Sequence, residues 1–380
     1  MFDLTEHQKM IRDEVRAFAR GDLLPKAAER DEKHIFPAAE FKRLAELGIM
    51  AMNVPEALGG SEVGVVAYAL AVMELAYVDA SVTVGMAVTN MVCEIVTKYA
   101  RPEIAKRFVP AVASGELLCG SFALSEAGSG SDAGAMQTRA QLVGDKWVLN
   151  GTKLWITSAD HAGLFVVWAR TETDVKGAKG VSAFLVPGGT PGMQVGRAER
   201  KMGLHGSTTC ELLFEDCAIP AEYLLYERGK GFSVAMTALD GGRIGVGSQG
   251  WGIGAAALDA AKSYIKQRKQ FGKTLAEFQI NQFKVADLAT QRDAAWLLLM
   301  RAAHLKETDR PFTREASMAK VYATEWANRC CGEALQMHGG VGYTMDYPVE
   351  RYLRDARVTT IYEGTSEVQR IVISREELAD

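Results

Sequence analysis

The spacing of apolar residues changes period twice along this chain. From the start to about residue 117 they recur at helical intervals. Ile11, Val15 and Phe18 share one face behind Thr5-x-x-Gln8, a capping-box spacing. Gly21 and Pro25 are expected to end that helix. Phe41, Leu44 and Leu47 mark a second helix, stopped by Gly48. Residues 62–78 and about 83–99 read as further helices, apolar on most sides and therefore buried. From Leu117 to about Pro220 the runs are short, β-branched or aromatic, and parted by glycine turns. Trp147–Leu149 and Lys153–Thr157 flank Asn150-Gly151, which is a hairpin signal. Leu164–Ala169, Val181–Val186 and Glu211–Phe214 are further strands. From Gly229 the helical period returns. A long helix is expected over about 232–268, ended by Phe271-Gly272, and two more over 278–306 and 313–337. The spacing of Val285, Leu288, Trp296 and Leu299 suits bundle packing.

The order helical, β, helical predicts an α+β multidomain fold. Its expected parts are an N-terminal helical domain (1–117), a small antiparallel β domain (118–228) and a four-helix-bundle-like domain (229–380). With 380 residues the chain is long enough for two or three domains and a large core. The 43 Lys and Arg against 47 Asp and Glu leave a net charge of −4, which argues against a protein built to bind nucleic acid. No apolar stretch is expected to approach the roughly 20 residues needed to span a bilayer. The segment Met1–Glu6 has neither a basic region nor an apolar core, so no export signal is visible. The six cysteines show no C-x-x-C pair and no zinc spacing, so they read as reduced small hydrophobes. Together these point to a cytoplasmic protein, or one of the mitochondrial matrix if the chain is a processed eukaryotic one, with no metal site.

The chemistry concentrates near the end of the chain. Ser366 followed by Gln369 has capping-box spacing, and Val368, Ile371 and Val372 continue a helical face. Glu363 then lies in the loop before a helix N-terminus, with Ile361 and Tyr362 as apolar cover and Gly364 allowing close backbone approach. A carboxylate among apolar neighbours can serve as a general base, because desolvation raises its pKa towards neutrality. The same position also suits a plain first-turn acid that favours the helix dipole.

Other stretches carry weaker signals. Gly245-x-Gly247-x-x-Gly250 matches the dinucleotide fingerprint in form, but it lies inside a helical run and continues to Gly252 and Gly254. With no strand before it, it reads as small residues at a helix–helix contact. Phe122–Asp132 is an apolar strand running into a loop of Gly and Ser, which can cradle a pyrophosphate or be a plain turn. Trp155-Ile156-Thr157 offers an aromatic face beside a hydroxyl, for a flat ring or for the core. Arg268–Gly272 combines cations with an aromatic at a helix end, suited to phosphate or simply to the helix dipole. His338 stands before Gly339-Gly340 with no nucleophile motif nearby and reads as structural.

Taken in order, Phe122–Ser131, Trp155–Thr157, Arg243–Gly245, Arg268–Gly272, Gln336–Gly340 and Ile361–Gln369 resemble the acyl-CoA dehydrogenase family over nearly the whole chain. Tyr362-Glu363-Gly364-Thr365 is most similar to its short- and medium-chain branches, the short-chain, butyryl-CoA branch above all. The resemblance implies FAD between the β and C-terminal domains. Phe122, Leu124, Ser125, Gly130, Ser131, Trp155, Ile156 and Thr157 would line the flavin. Arg268, Phe271, Gln282, Gln336, Gly339 and Gly340 would hold its ADP half across a subunit boundary, with Thr365 and Glu367 also near. Ser131, Asp240, Arg243, Tyr362 and Gly364 match positions near the acyl-CoA substrate. Glu363 matches the base that removes the α-proton, and its backbone N–H, with a flavin ribityl hydroxyl, would steady the thioester oxygen. The resemblance further implies hydride transfer to flavin N5, a trans-2-enoyl-CoA product, a homotetramer, and an electron-transfer flavoprotein as electron acceptor. The acyl pocket floor is expected around Thr83–Val92.

Two positions depart from the family pattern: Ala127 stands where proline is common, and Ser158-Ala159 where Asn-Gly is frequent. A specialist on branched-chain or dicarboxylic acyl-CoA remains open. An acyl-CoA oxidase fits less well, since those chains usually carry an extra C-terminal domain. From another class, a flavin-binding scaffold without activity is opposed by the net charge and by the intact Glu363.

Overall fold

The computed structural model describes residues 3–175 and 177–379; the reading of Met1 and Phe2 as a segment without export features lies outside them. The N-terminal part is helical: α1 (Glu6–Phe18), α2 (Leu24–Lys33), α3 (Ala38–Glu46), α4 (Val65–Val78), α5 (Ala80–Tyr99) and α6 (Pro102–Ala113). The capping box at Thr5 forms in both directions, with Gln8 N–H donating to Thr5 Oγ1 and Thr5 N–H to Gln8 Oε1. Gly21 and Pro25 do not end the first helix. It passes through one wide π turn, Ala19–Leu23, straight into α2. Pro25 stands just after the π turn, at the start of α2, and the stop comes at His34 in the left-handed region.

Helices α4 and α5 are buried on nearly every side. Helix α5 departs from the expectation that no stretch is long enough to span a bilayer. It is long and apolar enough to cross a membrane, but 83% of its most apolar window is buried, as in the core helix of a packed domain.

The middle part is a sheet of β1 (Gly120–Ala123), β2 (Arg139–Val143), β3 (Lys146–Thr157), β4 (Leu164–Arg170), β5 (Val181–Pro187), β6 (Met193–Ala198), β7 (Thr209–Pro220) and β8 (Leu224–Leu225). The strand order is β6-β7-β3-β2-β4-β5-β8, with β1 beside β4. Most pairs are antiparallel, but β1–β4 and β2–β4 are parallel, which a purely antiparallel expectation misses. The long excursion through β2 and β3 between β1 and β4 makes the parallel pairing possible.

Asn150-Gly151 is not a hairpin turn. The turn between β2 and β3 is Gly144-Asp145, with Gly144 supplying the positive φ, and β3 runs unbroken past Asn150. Asn150 instead exchanges side-chain hydrogen bonds with Asp216 on β7, and the register shifts there. Gly151 is required because a Cβ would fall 2.7 Å from Thr138 Cα.

The C-terminal part holds α7 (Gly231–Gln267), a small hairpin of β9 (Lys269–Gln270) and β10 (Lys273–Thr274), α8 (Gln279–Glu307), α9 (Thr313–His338), α10 (Val349–Arg357) and α11 (Ser366–Glu377). Trp326 Nε1–H reaches Leu288 O and Trp251 Nε1–H reaches Arg292 O, tying α9 and α7 to α8. The α7 glycines are packing positions, as their helical context predicts. A Cβ at Gly252 would meet Met73 O of α4 at 2.5 Å, and one at Gly254 would meet Trp326 of α9 at 2.7 Å. Helix α7 is thereby held close to α4 on one side and to α9 on the other. All six cysteines are buried and unpaired. His338 is structural: its Nδ1 lies 2.8 Å from Ala334 O and its ring stacks on Tyr264.

Candidate active site

The chain around Glu363 is shaped by its backbone. Glu363 has φ 52° and Gly364 has φ 90°, two consecutive left-handed residues between α10 and α11. Such a conformation costs free energy at a non-glycine residue and persists only where neighbours over-determine it. Three side-chain bonds do so. Lys320 Nζ donates to Gly364 O at 2.8 Å, Gln369 Nε2 donates to the same oxygen at 3.0 Å, and Gln369 Nε2 reaches Glu363 O at 3.3 Å. Thr365, not Ser366, caps α11 by accepting from Val368 N–H. The expected Ser366/Gln369 box is therefore absent, because Gln369 is engaged with the turn instead. The helical face behind it is also only partly buried: Val372 is covered, while Ile371 is exposed.

This turn drives the Glu363 side chain inward against α7. Its Oε2 is sealed from solvent and has no hydrogen-bond partner among the described residues. The space beside it is lined by Tyr68, Val84, Ala87, Val88 and Met91 of α4 and α5, and by Gly242, Gly245, Val246 and Gln249 of α7. It is narrow, with room for about one water. Val84, Ala87, Val88 and Met91 fall within the stretch expected to form a pocket floor. Burial pushes the Glu363 carboxyl up to about 7, against the pull of Lys320 and Arg243. No salt bridge joins either cation to the carboxylate among the described residues, so the oxygen stays free to accept a proton. The Glu363 N–H likewise donates to no group among them.

Tyr362 lies under the turn with its hydroxyl on Gln249 Oε1, and Gln249 in turn donates to Ala80 O at 3.0 Å. Arg243 is buried: its Nη1 donates to Asp240 Oδ1 at 2.5 Å and to Ser317 Oγ at 3.1 Å, while its Nε has no partner. Asp240 also accepts from Thr313 Oγ1. Tyr362, Asp240, Arg243 and Gly364 are thus brought together around Glu363.

A second group forms at the sheet. Trp155 is 60% exposed at φ 65°, on a bulge of β3, so its indole faces outward as a platform. Leu154 N–H donates to Ser125 O, which sets the loop 125–132 beside it. Ser125 is partly exposed; Gly130 and Ser131 are exposed; Thr157 is partly exposed. A Cβ at Gly128 or Gly130 would meet nothing, so the loop is open. Leu124 and Ile156 turn into the core, and Phe122 packs on Trp168, so these three offer the site their backbone rather than their side chains. Beneath the loop, buried Lys153 donates to Leu124 O at 3.0 Å and to Glu126 Oε1 at 2.8 Å, while Glu126 accepts from Gln137 and Thr138 N–H.

The third group lies elsewhere. Arg268, Gln282, Gln336, Gly339 and Gly340 are exposed where α7 and α9 end and α8 begins, and Lys284–Glu333 ties α8 to α9 there. Phe271 is 94% exposed at φ 53° on the tip of the β9–β10 hairpin. Its ring meets Phe278 edge-on. No hydrogen bond connects this group to the sheet group among the described residues. Thr365 and Glu367 sit at the start of α11, beside Glu363.

Sequence reasoning missed Lys320, Tyr68, Gln249, Gly242 and Gln369. Lys320 did carry a signal: it stands within the small-residue stripe Ala316, Ala319, Ala323 and Ala327, on a face that packs against α7.

Three family models cover the chain. "Acyl-CoA dehydrogenase, N-terminal domain" matches residues 5–116, "Acyl-CoA dehydrogenase, middle domain" 121–217, and "Acyl-CoA dehydrogenase, C-terminal domain" 229–378. The chain is 48% identical to the short-chain specific acyl-CoA dehydrogenase, mitochondrial, of Homo sapiens, over 98% of this chain and 90% of that protein. It is 45% identical to the acryloyl-CoA reductase (NADH) of Anaerotignum propionicum, over 99% of this chain and 95% of that one. The solved butyryl-CoA dehydrogenase of Megasphaera elsdenii superposes with a TM-score of 0.97 at 41% identity, covering 100% of both chains. Fold and matches together define an oxidoreductase. The chain belongs to the acyl-CoA dehydrogenase family.

Proposed function

We propose that this protein is an FAD-dependent dehydrogenase for short- to medium-chain acyl-CoA thioesters, with Glu363 as the base. The observation that carries the reading is the sealed, unpartnered Glu363 carboxyl at the head of a narrow apolar cavity. The α-proton of a thioester is weakly acidic, so its removal needs a base whose pKa lies near the working pH. Glu363 meets that need, and its free backbone N–H can hold the thioester oxygen as negative charge develops there. Apolar lining from Val84, Val88, Met91 and Val246 excludes water from the acyl chain. The likeness to short-chain specific relatives supports short chains.

The residues fit the cofactor that the resemblance implies. Outward-facing Trp155 and the open Ser125–Ser131 loop, with Thr157, suit the flat ring. Arg268, Phe271, Gln282, Gln336, Gly339 and Gly340 suit the ADP half when supplied by a second copy of the chain, since they lie apart from the sheet group. This division favours an oligomer, a homotetramer by the family pattern. When bound, FAD would supply hydride acceptance for the β-hydrogen, while Glu363 takes the α-proton, so that the product would be trans-2-enoyl-CoA. The electrons then pass to an electron-transfer flavoprotein. Segments 1–117, 118–228 and 229–380 are read as the three domains. The change from helix to strand after α6, and back from strand to helix after β8, supports that division.

A second reading is the reverse reaction, in which Glu363 returns a proton to Cα of an enoyl-CoA. The likeness to an acryloyl-CoA reductase favours it. Anaerobic mixing separates the outcomes. Butyryl-CoA, octanoyl-CoA and isovaleryl-CoA are added in turn to the yellow protein and to Glu363→Gln. Bleaching of the long-wave flavin band in wild type alone supports the dehydrogenase, and the best substrate sets the chain class. Bleaching by NADH followed by recovery with acryloyl-CoA supports the reverse direction. A colourless protein, or a flavin that neither treatment bleaches, removes both readings.

A further inference from the structure

We propose that Lys320 is a positioning residue for the reaction: its buried ammonium, anchored on the carbonyl next to Glu363, fixes the strained turn and sets a positive charge near the reacting carboxylate. The inference rests on Glu363 being the base.

Lys320 lies on α9 with no exposed surface, and its Nζ donates to Gly364 O at 2.8 Å. No anionic side chain pairs with it among the described residues. A buried ammonium without an ion-pair partner is costly and needs a reason. Two features of its placement supply one. The bond to Gly364 O locks a residue at φ 90° that follows another at φ 52°. The charge also sits beside the carboxylate without closing a salt bridge to it. A direct pair would lower the carboxyl far below neutrality and block its lone pairs. Held on the neighbouring carbonyl instead, the ammonium favours the ionised base and leaves it free to react.

Several other groups face this pair. On α7, Arg243 adds a second cation, itself neutralised by Asp240. On α4, the buried Tyr68 lines the same space as Glu363, while the adjacent Tyr362 hydroxyl is held on Gln249. Glu325 and Glu367 lie further out around Lys320. Arg243 also pulls on Glu363 but is paired with Asp240, so Lys320 is the cation beside it without an acidic partner among the described residues. Gln369 provides the internal control. It is fully buried and donates to the same Gly364 oxygen, but it carries no charge.

The test uses the FAD-loaded enzyme and two readouts. One is the pH midpoint of the anaerobic bleaching rate. The other is the pH midpoint of the protonated-carboxyl infrared band that Glu363→Gln abolishes, which reports the proton whether or not chemistry follows. Lys320→Met removes charge and bond. Lys320→Gln removes the charge and keeps a donor, and it serves if the methionine variant does not fold. Both midpoints should rise by about one unit or more in either variant, as expected for loss of a nearby opposite charge. The rate lost near neutrality, about tenfold, should return as pH is raised. Gln369→Leu should lower the plateau rate and leave both midpoints in place. Unchanged midpoints in the Lys320 variants, with a lowered plateau that pH does not restore, would overturn the proposal and leave Lys320 a purely structural residue. A missing Glu363 band in the wild type would instead count against Glu363 itself.

Discussion

Gly242 and Glu363 compete for the same space: a Cβ at Gly242 would lie 2.1 Å from Glu363 Oε2. The α7 backbone is therefore the wall against which the carboxylate rests. A glycine in mid-helix costs roughly 0.5–1 kcal/mol relative to alanine, so this position gives up helix stability to make room for an acid.

Gly242→Ala should separate stability from activity. The helix gains propensity, while the carboxylate must move by about an ångström or more, a misplacement that commonly costs about 10²-fold in rate. The expected result is a thermal midpoint near or above that of wild type with anaerobic bleaching slowed by about that factor. An unchanged rate would show that the side chain is not where the reaction needs it.

The legibility of this site follows from its physics. The spacing around Glu363 fits a base as well as a plain first-turn acid, and it is the resemblance to a family that singles it out. That α5 is buried is legible because a helix apolar all round has to be covered; that it floors a pocket came with the resemblance. The cap of α11 is misread by one residue because Thr365 and Ser366 are both capping types, and only tertiary contacts with Gln369 decide between them. Asn150-Gly151 misleads for a similar reason: the dipeptide suits a tight turn, but cross-strand bonds to Asp216 keep the strand going. Lys320, Gln249 and Gly242 are hard to see because their partners lie far along the chain. A lysine in a helical stretch is ordinarily a solvated one, and although its alanine stripe marks a packed face, nothing local tells that the Glu363 turn closes over it.

The pH dependence follows from the direction of the Glu363 shift. Burial raises its carboxyl to about 7, so the ionised base is scarce below that value and complete above it. The rate of α-proton removal should rise with pH, about tenfold per unit below the midpoint, and level off above neutrality. Rapid-mixing bleaching of the free enzyme at limiting butyryl-CoA, measured across pH, checks this. A flat profile through the same range would mean that the proton goes elsewhere.

The last prediction concerns stability and a carboxylate far from the chemistry. Asp355 on α10 accepts Leu204 N–H at 2.6 Å, joining the C-terminal helices to the loop before β7. It is buried, and burial, with Asp31 nearby, raises its pKa to about 7 from 3.8, although the Leu204 bond and Arg351 and Arg354 pull the other way. Between those two values the folded protein binds the proton and the unfolded chain does not. Stability contributed by this group is therefore present at low pH and lost as pH rises through that window. A shift of about three units corresponds to at most roughly 4 kcal/mol. Asp355→Asn keeps an acceptor for Leu204 and cannot ionise. Its thermal midpoint, relative to wild type, should improve steadily from about pH 5 to pH 8. If the two curves run parallel across that range, Asp355 is ionised at little cost and the link between sheet and helices does not depend on its proton.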